Sequence, residues 1–83
     1  MISIQMHDVV ALLKDTKTQF FPNGRDILLK KGQIGTVVEE YNGGEAFEVE
    51  FSDNDGQAYA MVTLKAENLM VLYDQPVELA IAS

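Results

Sequence analysis

The stretch Lys31-Gly32-Gln33-Ile34-Gly35-Thr36-Val37-Val38, then Asn42-Gly43-Gly44, then Ala46-Phe47-Glu48-Val49-Glu50-Phe51, restricts the possible folds more than any other part of the chain. Successive side chains of a β-strand point to opposite faces. Ala46 to Phe51 alternates accordingly, with Phe47, Val49 and Phe51 on one face and Glu48 and Glu50 on the other. Asn42-Gly43-Gly44 supplies residues that accept positive φ, as a tight hairpin turn requires. Glycines inside a strand pattern, here Gly32 and Gly35, mark a bulge or a close backbone approach. Together these features describe a β-hairpin of a small barrel.

The remaining segments supply further strands. His7 to Leu13 is an apolar run with a β-branched start and is read as a strand. Lys14 to Asp26 is read as a loop, with turn chemistry at Pro22-Asn23-Gly24 and with Phe20 and Phe21 either folded back over the barrel or exposed. Ile27 to Tyr41 is a second strand region interrupted at Gly32 and Gly35. Asp53-Asn54-Asp55-Gly56 is a turn before a strand from Gln57 to Leu64, whose facing is ambiguous. Lys65 to Asn68 fits one helical turn and Leu69 to Tyr73 a last strand. The expectation is an all-β domain over residues 1–75, a five-stranded, partly open barrel with one short helical turn. Its core is expected to include Val9, Ile34, Phe47, Val49, Phe51, Val62 and Leu69. Residues 76–83 form a tail whose Val77–Ile81 part is read as an added strand on an open edge, in the same chain or in a neighbour. The oligomeric expectation is monomer or homodimer.

Eighty-three residues make one domain. A domain of this size buries only ~60% of the surface of its unfolded chain, so its stability is marginal. The chain has no cysteine and one histidine, which leaves out disulfides and thiolate metal sites. No signal-peptide pattern and no run of ~18 apolar residues is visible, so a cytoplasmic protein away from membranes is expected. The net charge is −7. Its distribution is uneven: residues 33–64 hold Glu39, Glu40, Glu45, Glu48, Glu50, Asp53 and Asp55 with no Lys, Arg or His. Such a field repels phosphate backbones and attracts basic partners.

Several constellations resolve into ordinary structure. Phe51 to Gly56 fails as a calcium loop, because placing Gly56 at the invariant glycine puts Phe51 and Val62 at ligand positions. His7 and Asp8 are adjacent and, on a strand, point to opposite faces, so they form no dyad. Glu48 and Glu50 share a face at roughly 7 Å by strand geometry. A chain this small offers little pocket for glycosidase chemistry around them. Lys30-Lys31-Gly32 lacks the order of a phosphate loop. No cofactor, no metal and no enzymatic activity is expected.

Gly32, Gly35 and Val37 resemble the KOW-type turn and strand of small SH3-like barrels. More fully, His7 to Leu13, Lys31 to Glu39 and Phe47 to Phe51 resemble a bacterial family of uncharacterised small proteins, a domain of unknown function common in cyanobacteria. The resemblance spans roughly His7 to Leu72 and implies an SH3-like barrel. It carries no established activity, and two-gene arrangements among its members suggest toxin–antitoxin or immunity pairs. The functional expectation is a non-catalytic protein-interaction module, an antitoxin or immunity protein by this analogy. Its contact residues would be Glu39, Glu40, Glu45, Glu48 and Glu50, and its partner a basic protein. The alternatives are a KOW-like RNA- or ribosome-associated module using Lys14, Lys17, Arg25, Lys30 and Lys31, or an accessory domain of an enzyme complex.

Overall fold

A computed structural model of the chain describes residues 3–73. Seven strands run in chain order: β1 (Val9–Leu12), β2 (Thr16–Gln19), β3 (Asp26–Leu29), β4 (Ile34–Tyr41), β5 (Ala46–Ser52), β6 (Ala58–Lys65) and β7 (Leu69–Leu72). A 3-10 turn, Ala66–Asn68, joins β6 to β7. Five strands form one antiparallel sheet in the order β6-β5-β4-β1-β7, and β2 and β3 form a separate two-stranded sheet. The fold is all-β and the main sheet does not close on itself, as the hairpin signature led one to expect. The Val77–Ile81 strand lies outside the described residues.

The β4–β5 hairpin follows the sequence closely. Phe47, Val49 and Phe51 are buried, and Asn42, Gly43 and Gly44 all take positive φ in the connecting turn. Gly32 also has positive φ, where the chain turns between β3 and β4. That turn is fixed by Gly32 N–H donating to Leu12 O at 2.7 Å and Lys31 N–H donating to Asp15 Oδ1 at 2.8 Å. The bulge of β4 falls between Val37 and Glu39 rather than at a glycine.

One strand, β2, lies inside the Lys14–Asp26 segment expected to be a loop, and the strand region expected over Ile27–Tyr41 divides into β3 and β4, so the expected five strands become seven among the described residues. Thr16-Lys17-Thr18-Gln19 pairs with Asp26-Ile27-Leu28-Leu29 around the Pro22-Asn23-Gly24 turn. β2 is wholly polar, so it carries no alternation of apolar residues to mark it. The hairpin docks on β6: the Phe20 ring lies 5.9 Å from that of Tyr59, and Phe21 N–H donates to Tyr59 O at 2.8 Å. Phe20 therefore folds back and Phe21 stays exposed.

The core joins Val10 and Leu12 of β1, Leu29 of β3, Val37, Phe47, Val49, Phe51, Ala60, Leu64 and Leu69. Burying each large apolar side chain contributes ~1.5–3 kcal/mol. Phe47, Val49, Phe51 and Leu69 take their expected places, and Val62 is half-buried against the cluster. Val9 and Ile34 do not: both are exposed on the opposite face of the sheet. The reason is register. Val10 pairs with Gly35 and turns inward with it, which sends Val9 and Ile34 outward.

Candidate functional site

The outer face of the five-stranded sheet can be laid out in rows from the strand register. Thr63, Glu48 and Glu39 form one row across β6, β5 and β4. Met61, Glu50, Thr36, Val9 and Leu72 form the next, across all five strands. Ile34, Ala11 and Met70 form the last, across β4, β1 and β7. One side of this face is acidic and the other apolar.

On the acidic side, Glu39 stands directly opposite Glu48, and Glu50 follows two residues along β5. Like charges opposed across a ladder destabilise it. The relief present is partial: Thr63 Oγ1 donates to Glu48 Oε1 at 2.6 Å, and Ser52 Oγ lies 3.5 Å from Glu50 Oε1. Glu48 and Glu50 are half-buried, and no Lys or Arg pairs with them among the described residues. Tyr41, at the turn end of β4, senses the same field. Partial burial, then the Glu48 carboxylate, then that of Glu39, push its phenol above the ordinary 10.0.

Of the five carboxylates read as contact residues, Glu39, Glu48 and Glu50 come together on this face. Glu40 is in register with Phe47, on the other parity, and borders an open cleft of about 700 Å³ with Ile4, Gly44, Phe47 and Leu69. Glu45 sits at the turn, in a shallow groove with Lys65 and Glu67. Five of the six cations are segregated: Lys14, Lys17, Arg25, Lys30 and Lys31 belong to the β2–β3 hairpin and its flanking turns, while Lys65 ends β6 in register with Ala46. Lys30 Nζ lies 4.0 Å from Asp15 Oδ2, the one ion pair among the described residues.

The discarded constellations have clear structural roles. Asp53 Oδ1 accepts from Asp55 N–H at 2.9 Å and Gln57 N–H at 3.0 Å, and Gly56 has a φ of 80°, so the segment is a hairpin turn. Asp8 Oδ2 accepts from Gln5 N–H at 2.8 Å, while His7, with a φ of 70°, donates its N–H to Val37 O at 2.8 Å. Among the described residues no group of three or more His, Cys, Asp or Glu is arranged to hold a metal ion. The apolar half of the outer face, with Val9, Ile34 and Met70, escaped the sequence reading. Its signal was there in Val9-Val10-Ala11-Leu12 and Leu69-Met70-Val71-Leu72, which are apolar on both parities although a half-buried strand needs only one.

The chain belongs to the family described as Domain of unknown function (DUF4926), whose model matches residues 6–71. No curated protein and no solved structure matches it. No helix among the described residues is long and apolar enough to cross a membrane.

Proposed function

We propose that this member of the family is a non-catalytic, SH3-like interaction module of the bacterial cytoplasm that binds a basic protein through Glu39, Glu48 and Glu50. The observation that supports this reading is the cross-strand Glu39–Glu48 pair, which lacks a cation among the described residues. Such a pair costs stability in the free protein. A Lys- or Arg-bearing partner converts that cost into attraction. The hairpin holds the carboxylates in place, so little ordering is needed on binding. Masking a basic surface in this way is what an antitoxin or immunity protein would do.

Replacing Glu39, Glu48 and Glu50 together by glutamine tests the reading. Exposed charges act mainly on the association rate and fade as salt shortens the screening length, ~8 Å at physiological ionic strength. Capture from native extract should yield a protein that the wild type holds at low salt and the triple variant holds poorly. A partner retained equally by both proteins at every salt concentration counts against it. A second reading draws on the cations gathered at the β2–β3 hairpin, which would face RNA phosphates. Recovery of RNA that is lost on replacing Lys17, Arg25 and Lys31 would favour it.

A further inference from the structure

The apolar half of the outer face carries the argument further. Ala11 points outward yet is only 7% exposed, because Ile34 and Met70 stand on either side of it in the same row. Those two walls are 53% and 49% exposed, and Val9 in the next row is 38% exposed. The result is an apolar patch with a shallow trough at Ala11, bounded along β1 by Val9, and no described side chain covers Ile34 or Met70. Ile34 and Met70 stand on strands two spacings apart, about 10 Å. An α-helix, ~10–12 Å wide with its side chains, is broad enough to cover both. Among the described residues the carboxylates of this face lie on the β4–β5 flank: along the middle row, Val9 is followed by Thr36 and then by Glu50.

We propose that this face is the docking site for an amphipathic helix of a partner protein, with an apolar ridge over Ala11 and Lys or Arg along the flank that meets Glu48 and Glu50. The proposal rests on the acidic-face reading above and adds the partner's shape and chemistry. Charge complementarity selects this occupant. A second copy of the chain brings a net charge of −7 and an acidic flank of its own. RNA brings phosphates that the flank repels and no aliphatic ridge.

The test uses the full chain and a fluorescein-labelled designed helix of about five turns. Leucines form one stripe of that helix and lysines one flank. A peptide of the same composition with its leucines scattered is the control. Anisotropy titrations should show the patterned helix binding at least about tenfold more tightly than the control. Ile34→Thr with Met70→Thr should weaken it about tenfold at low and high salt alike. Glu48→Gln with Glu50→Gln should weaken it at low salt only and match wild type near ~1 M salt. Met70→Gln alone replaces the double threonine variant if that variant melts early.

Equal binding of the control peptide overturns the proposal. So does unchanged binding by the trough variants; if the glutamine variant is still weakened, the acidic-face reading stands without the helix. A glutamine variant indistinguishable from wild type at low salt overturns the acidic-face reading itself. Concentration-dependent mass in sedimentation that Met70→Thr abolishes would assign the trough to a second copy and also overturn the proposal.

Discussion

Gly35 shows how one residue can be required for a reason other than its backbone angle. Its φ is not positive, unlike that of Gly43, which is 67°. A Cβ at Gly35 would lie 2.6 Å from Val49 Cγ1, 2.9 Å from Phe51 Cε1 and 3.0 Å from Glu50 O. Val49 and Phe51 are completely buried and have nowhere to move. Gly35→Ala should therefore destabilise the domain by ~1–3 kcal/mol, the usual cost of overpacking. For a domain this small, each kcal/mol lowers the melting midpoint by roughly 4–8 °C. Thermal unfolding followed by circular dichroism reads this directly, and an unchanged midpoint would mean that β4 and β5 do not approach this closely. Gly43 has open space where a Cβ would go, so a side chain there meets backbone strain alone.

At the scale of the element, the β4–β5 hairpin sets its own electrostatics. Its register opposes Glu39 to Glu48 and brings their field to Tyr41. A phenol raised above 10.0 in the folded chain binds its proton more tightly there than in the unfolded chain. The stability this contributes is fully present below pH 10 and is lost as pH rises through the raised value. Tyr41→Phe should flatten the loss of stability in that alkaline range. In the wild type, Glu48→Gln should move the Tyr41 midpoint back toward 10.0, and by more than Glu39→Gln does. Spectrophotometric titration of the phenolate, with Tyr41→Phe identifying its step, checks both. A midpoint indifferent to Glu48→Gln would place that carboxylate away from Tyr41.

For the whole molecule, the two faces of β5 make opposite demands. Val49 is fully buried in a core shared by the open sheet and the β2–β3 hairpin. Placing a carboxylate there without a partner costs several kcal/mol, against a total stability for domains in general of about 5–15 kcal/mol. Val49→Asp should leave the chain unfolded at room temperature. Glu48→Lys, one residue away, should fold and resist urea slightly better, because it turns the repulsion with Glu39 into attraction. Urea unfolding of both variants measures this. A folded Val49→Asp together with an unfolded Glu48→Lys would reverse the facing of β5. The same alternation that builds the core thus holds the carboxylates on the outside.

The amino-acid sequence by itself determined the β4–β5 hairpin, its turn, its inward Phe47-Val49-Phe51 face and the sign of its outward face. These are local facts: alternation and positive-φ residues act over a few positions along one strand. The 3-10 turn and the Asp53–Gly56 turn were legible for the same reason. Tertiary structure alone decided the facing of β1, because Val9 and Val10 are chemically equal and only pairing with Gly35 selects Val10 for the core. It alone decided that polar Thr16–Gln19 becomes a strand, since its partner lies across a turn and its packing surface is Tyr59 on β6. It also put Glu39 rather than Glu40 on the face of Glu48 and Glu50, because the β4 bulge resets the parity beyond Val37. The apolar trough beside those three acids exists only once β1 lies between β4 and β7, a neighbourhood set by contacts between residues far apart in the chain.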